Sequence, residues 1–230
     1  MELETKINEF LEGRSQGLKN WLEELAEVTG EIWLFGGAVR DIALNGPDVS
    51  PRDLDIVLVD PLPDRLSNIV ARNCIRRTSF GGWKLQVGPI KVDLWDLKDT
   101  WAFQEGLVDS SPEKLPQTTF LTTQAVAASI EGLKVAKFVE EGFEDSVKKG
   151  AVDVNLMENP LPALSIVRAL CITKKLGFEM SKELSNRLEG MRKECSAVEL
   201  KEVQEKHYGS RLLSVEEIDD MIEYWDNHYE

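Results

Sequence analysis

The chain has 230 residues, 42% hydrophobic and 30% charged, with a formal net charge of −14. That length buries a real core in one or two domains, and no apolar run approaches the ~18 residues of a membrane span, so no membrane partner is expected. The charge argues against a broadly basic surface of the kind that grips RNA by its backbone; any basic contact has to be local.

Residues Met1 to Val28 carry Ile7, Phe10, Leu11, Leu18, Trp21, Leu22 and Leu25 at helical spacing. The pattern predicts two helices broken near Gly13 and packed on a sheet, with an exposed homodimerisation face as the alternative. This acidic, amphipathic start is unlike a basic-then-apolar leader, which points to a cytoplasmic protein. Cys74, Cys171 and Cys195 are odd in number, widely spaced and without a CxxC pair, as expected of free thiols in a reducing compartment.

The next stretch, IWLFGGAVRDIALNGPDVSPRDLDIVLV from Ile32 to Val59, carries the chemistry. Ile32 to Phe35 reads as a buried strand. Gly36 and Gly37 turn the backbone and leave room for something to approach closely. A helix start carrying Arg40 and Asp41 follows, then a polar loop from Asn45 to Arg52, then a strand from Leu54 to Val59. Strand alternation places Asp53 and Asp55 on one face. Two carboxylates a few ångströms apart repel by about 4 kcal/mol at an effective dielectric near 20. A bound divalent cation removes that cost, and hard oxygen donors favour Mg²⁺ over zinc. A glycine turn with free backbone N–H groups at a helix start is a place to hold phosphates. Together the two features describe phosphoryl or nucleotidyl transfer. Taken separately, the bland readings are a solvated strand edge and a simple turn.

Beyond Val59, PLPD marks a turn and Arg65 to Asn73 a helix. Strands are expected over Cys74–Phe80, Trp83–Val87 and Ile90–Leu97, separated by Gly81-Gly82 and Gly88-Pro89. Asp93 sits between Val92 and Leu94, and an Asp inside an apolar strand is costly to bury unless paired or metal-bound. An edge-strand Asp in solvent is the other reading. Asp96, three residues on, falls on the opposite face as a structural residue. Asp99 to Gly106 reads as a short capped helix, Val108 to Gln117 as a loop, Thr122 to Ile130 as a short helix opened by a Thr cap, and Lys134 to Val139 as a strand. Asp145 and Gly150 read as a helix N-terminal charge and a C-cap. From Pro160 the pattern is helical, with further helices over Glu183–Glu194, Val198–Lys206 and Val215–Asn227. Glu199 to Glu230 holds ten acids against three Lys or Arg, a solvated acidic face or a docking surface for a basic partner.

GGAVRD followed by DLD resembles the head domain of the DNA polymerase beta-like nucleotidyltransferase superfamily. It is most similar to the bacterial-type tRNA CCA-adding enzymes and poly(A) polymerases, with their GGxVRD and DxD pattern. The resemblance implies an α/β (α+β) fold: a head domain with a mixed sheet over residues 1–155, then a helical neck-like region over 156–230. It implies that Gly36, Gly37 and Arg40 contact a triphosphate with Asp41 in support. Asp53 and Asp55 would hold two Mg²⁺ ions (Mn²⁺ as the alternative), and Asp93 would be the third carboxylate, binding metal and activating the attacking hydroxyl. LPALSIVRALCITKKLGF resembles the first neck helix, with Arg168 and Leu176-Gly177-Phe178 in matching places. The implied reaction moves a nucleoside monophosphate from an NTP to a hydroxyl, first of all a tRNA 3′ end, with release of pyrophosphate.

Departures are as informative. The loop between Asp41 and Asp53 is longer than the family's. Its Glu-Asp-x-x-Arg base-selection motif falls on Leu161 to Ser165, a later family Arg falls on Cys171, and Arg-Arg-Asp falls near Thr118 to Phe120. No segment matches the body and tail domains that grip tRNA. Two alternatives therefore stand: a toxin- or regulator-type transferase acting on tRNA or protein with a protein partner, and a degenerate module that binds a nucleotide or a partner.

Overall fold

The computed structural model describes residues 2–228. Met1, at the start of the first expected helix, and Tyr229 and Glu230, at the end of the acidic stretch, lie outside the described residues.

The chain forms two compact units. One runs to Thr119 and takes back Gln124–Glu141; the other is built from Phe120–Thr123 and the chain from Gly142 onward. The first unit opens with α1 (Leu3–Glu12) and α2 (Gln16–Ala26), interrupted at Gly13 as expected. The Ser15 hydroxyl caps α2 by accepting from Leu18 N at 3.4 Å. There follow β1 (Glu31–Phe35), α3 (Gly37–Asn45), β2 (Leu54–Val59), α4 (Pro63–Ala71), β3 (Cys74–Arg77), β4 (Trp83–Val87), β5 (Ile90–Asp96), α5 (Trp101–Gln104), β6 (Val126–Glu131) and β7 (Lys134–Glu140). The seven strands form one sheet in the order β3-β4-β5-β2-β1-β6-β7. All neighbours are antiparallel except β2 and β5.

Both faces of the central strands are covered. Ile32, Leu34, Leu54, Ile56, Leu58, Val92 and Leu94 are buried on one face, where α2 and α3 pack. On the other, Trp33, Val57, Leu97, Phe103, Leu115 and Ala127 form a cluster with Phe35 and Trp95 at its margin. Part of the segment expected as a loop, Pro112–Thr118, folds as 3-10 turns that bring Leu115 onto this face.

One element differs in kind from the reading of the sequence. Thr122 to Ile130, expected as a helix, is a single 3-10 turn over Thr122–Gln124 followed by β6. Val126 to Ile130 are all buried between β1 and β7. A strand covered on both faces shows no alternation, and its alanines read as helix formers until the neighbours are known.

In the second unit stand α6 (Phe143–Lys149), β8 (Ala151–Val152), α7 (Pro162–Leu176), β9 (Glu179–Met180), α8 (Lys182–Glu194), α9 (Ala197–Tyr208) and α10 (Val215–His228). Pro162 opens α7 and Gly177, at φ 64°, closes it. Ile166, Val167 and Leu170 of α7 pack with Leu184, Leu188 and Met191 of α8, Leu200 of α9 and Ile218 and Ile222 of α10. The buried Gln204 amide uses all its positions: Nε2 donates to Leu200 O and Leu213 O, and Oε1 accepts from Leu212 N and Leu213 N. The resemblance implies a first domain over residues 1–155. By compactness the chain parts at Glu141, because residues 142–155 bond within the second unit: β8 pairs with β9, Leu121 bridges Val154, and Asn155 N donates to Phe120 O at 2.8 Å.

Candidate active site

β1 delivers the chain from Phe35 into Gly36, whose φ of 68° and ψ of −125° suit glycine. Gly36 N donates to Val126 O at 2.8 Å, which ties the turn to β6. A β-carbon on Gly36 would lie 3.8 Å from Asp55 Oδ2 and from the Gln124 carbonyl. One on Gly37 would lie 3.6 Å from Arg40 Nη2 and 3.8 Å from Gln124 Nε2. The turn is thus walled by Asp55, Arg40 and Gln124, at the electropositive start of α3 where the first N–H groups lack intrahelical partners.

Arg40 and Asp41, adjacent on α3, are both 6% exposed. Arg40 Nε and Nη2 donate to Asp41 Oδ1 at 3.0 and 2.8 Å. Arg40 Nη1 is buried with no hydrogen-bond partner. A buried guanidinium with an open donor beside a helix N-terminus is an arrangement suited to an anion.

The carboxylates are placed by register. In the parallel pair β2–β5, Asp55 lies directly beside Asp93. Across β1, Phe35 faces Asp55, and across β4, Lys84 faces Asp93. One face of the sheet therefore carries the row Lys84, Asp93, Asp55, Phe35. Lys84 Nζ donates to Asp93 Oδ1 at 2.7 Å and also contacts Oδ2. Asp53 stands one residue before β2, and its Oδ2 accepts from Arg52 Nη2 and Nε at 2.7 and 3.1 Å. Asp96 falls on the opposite face, buried, accepting from Lys98 N at 3.3 Å and pairing with Lys98 Nζ at 2.6 Å. That bond to Asp96 raises the Lys98 pKa above its ordinary value. The structural role expected for Asp96 is what its bonds describe.

Among the described residues, no three His, Cys, Asp or Glu side chains are gathered as a metal-holding group. Asp55 and Asp93 are neighbours, while Asp53 is turned to Arg52. The donor chemistry still fits a hard divalent cation, being carboxylate oxygen throughout. The Arg52 side chain is 55% exposed, and an ion pair that open to solvent is weak.

Arg168 is half-buried on α7 and belongs to the second unit, whereas the other expected site residues belong to the first. The departures have local explanations. The Thr118 and Thr119 hydroxyls donate to Leu115 O and Pro116 O within the 3-10 segment. Leu164 and Ser165 are buried in the first turn of α7. Lys84 and Gln124 were missed in the sequence. Nothing in WKLQV says what its lysine faces until β4 is paired with β5, and Gln124 lay in a segment read as helix.

No protein-family model matches the chain. A CCA-adding enzyme of Leuconostoc citreum (strain KM20) is 26% identical over 251 residues, covering 99% of this chain and 58% of that protein. Among solved structures, a CCA-adding enzyme in its apo form I superposes with a TM-score of 0.67 at 16% identity, over 96% of this chain and 54% of the other. The Thermotoga maritima CCA-adding enzyme complexed with tRNA gives 0.65 at 17% identity, again over 96% and 54%. A tRNA nucleotidyltransferase complexed with a primer tRNA and an incoming ATP analog gives 0.58 at 20% identity, over 85% and 57%. The fold is shared, and the resemblance to CCA-adding enzymes read from the two motifs is borne out. The chain spans little more than half the length of these relatives.

Proposed function

We propose that the chain is a nucleotidyltransferase that moves a nucleoside monophosphate from an NTP to a hydroxyl, first of all at a tRNA 3′ end, and releases pyrophosphate. The observation that carries this reading is the register of β2 against β5, which sets Asp55 beside Asp93 on the face walled by the glycine turn. The turn, the start of α3 and the open Nη1 of Arg40 hold the triphosphate. Asp53, Asp55 and Asp93 would hold two Mg²⁺ ions, or Mn²⁺ in their place, with Asp53 exchanging Arg52 for the ion. Bound there, the cations would polarise the phosphate under attack and lower the pKa of the acceptor hydroxyl. Asp93 orients that hydroxyl. The similarity to proteins described with tRNA and with an ATP analog supports tRNA and NTP as substrates, and a cytoplasmic location follows from that substrate.

The test is transfer from each α-labelled NTP, with Mg²⁺, onto total tRNA, total RNA and total protein, beside an Asp53→Asn, Asp55→Asn variant. Label on tRNA that disappears in the variant is the expected result. Label on protein instead would redirect the acceptor to a side-chain hydroxyl.

A second reading, a nucleotide-binding module without transfer, is favoured by one feature: Asp53 and Asp93 already hold Arg52 and Lys84. It expects Mg²⁺-independent thermal stabilisation by NTP, persisting in the same variant and with no label on any acceptor.

A further inference from the structure

Lys84 is fixed in the carboxylate row by the backbone. Leu85 and Val87 of β4 are buried on the opposite sheet face, so Lys84 must project on the Asp93 side. A one-residue slip of β4 would expose Leu85 and Val87 and bury the lysine among Ile90, Val92 and Leu94, which closes off other registers. Lys84 faces Asp93 across the antiparallel pair, and Asp93 lies beside Asp55 across the parallel one. Neighbouring strands run about 4.8 Å apart, where two like charges destabilise a sheet. An ammonium at the end of this row offsets the repulsion between the two carboxylates.

The ion pair is built to open. The Lys84 and Asp93 side chains are 30% and 26% exposed, and a lysine carries a compact charge on a flexible stem that can swing away without disturbing the strand. A divalent cation approaching Asp93 meets an ammonium on the same two oxygens.

We propose that Lys84 is the resident counter-cation of Asp93, the carboxylate beside Asp55. It holds Asp93 in place when no divalent ion is bound and competes with the ion for it, and so sets the ion concentration at which the site loads. This rests on the reading of the row as a divalent-cation site. Lys84 is a positioning residue, and its action is visible in ion binding without any turnover.

The probe is Mn²⁺, titrated into the full chain and followed by the electron-spin-resonance signal of the free ion and by calorimetry. Wild type is compared with Lys84→Met and Lys84→Gln, which keep most of the stem, and with Lys84→Arg, which keeps the charge. Asp55→Asn locates the ion. Removing the ammonium should tighten Mn²⁺ binding about tenfold. Lys84→Arg should stay within about twofold of wild type, since it restores the competing charge. The melting temperature of the neutral variants should fall without Mn²⁺ and recover with it. Unchanged or weaker Mn²⁺ binding in both neutral variants, with binding in wild type abolished by Asp55→Asn, would overturn the role of Lys84 and leave the cation site standing. Mn²⁺ taken up by the neutral variants and not by wild type would establish Lys84 as the resident cation and overturn the two-ion reading. Failure of every protein to bind Mn²⁺ would overturn both.

Discussion

Arg40 and Asp41 form a buried pair whose contribution to stability can be separated from the phosphate binding proposed for Arg40. Their side chains are buried against each other on α3, with one guanidinium nitrogen left open. Breaking a buried ion pair by removing the guanidinium alone costs about 3–5 kcal/mol, whereas replacing both members with apolar residues is often neutral or stabilising. Arg40→Met should therefore lower the urea midpoint strongly, and Arg40→Met combined with Asp41→Leu should recover most of the loss. Neither variant should be stabilised by NTP in a thermal melt. Recovered stability together with recovered NTP binding would remove Arg40 from the phosphate site. The motif residues were legible because GGAVRD and DLD are each contiguous in sequence, one at the turn into α3 and the other at the entry to β2. Lys84 was not, since its meaning lies in the residue it faces on another strand.

Among the elements, the 3-10 segment Pro112–Thr118 is held to β7 by a polar tie that can be titrated. Lys137 Nζ donates to Glu113 Oε1 at 2.7 Å, and Ser111 Oγ donates to Oε2 at 2.5 Å. The lysine bond, then the serine bond, lowers the Glu113 carboxyl from 4.5 to about 2. A carboxyl depressed in the folded state adds stability above its unfolded pKa and loses it as pH falls through the folded value. Urea unfolding of wild type and Glu113→Gln should differ at pH 6, and the difference should fade between pH 4.5 and about 2. A difference that persists at the acid end would assign the effect to packing instead. β6 makes the complementary point about legibility: Val126 to Ile130 are buried on both faces, so it shows no alternation, and it carries none of the aspartates that drew attention to β2 and β5.

At the scale of the whole molecule, the net charge of −14 stands against the electrostatics of RNA binding. Basic residues do gather at the exposed edge strand β3, where Arg76 and Arg77 stand, but they are few. Binding of tRNA by this chain alone is expected to be weaker than about 10⁻⁶ M at physiological salt, with a shallow salt dependence. Fluorescence anisotropy of labelled tRNA across a salt series measures both. Tight binding with a steep salt slope would show that the few basic residues act together as one phosphate-tracking face, and would remove the need for a partner that supplies RNA contacts.

Sequence by itself determined the glycine turn, the two strands that carry the carboxylates, the helical second half and the resemblance to CCA-adding enzymes, and it nominated Asp53, Asp55 and Asp93 as candidates. Those features are local: a turn needs its glycines, an amphipathic helix shows its period, and a motif is read along one strand. Tertiary structure decided which carboxylates are neighbours, that Asp53 turns to Arg52, that Lys84 closes the row, that β6 is a strand, and where the two units part. The Asp53–Arg52 pair apart, which joins sequence neighbours, each of these is a pairing between different segments of the chain. Strand register and counter-ion choice are fixed by the face a partner strand buries, and a single strand carries no record of its partner.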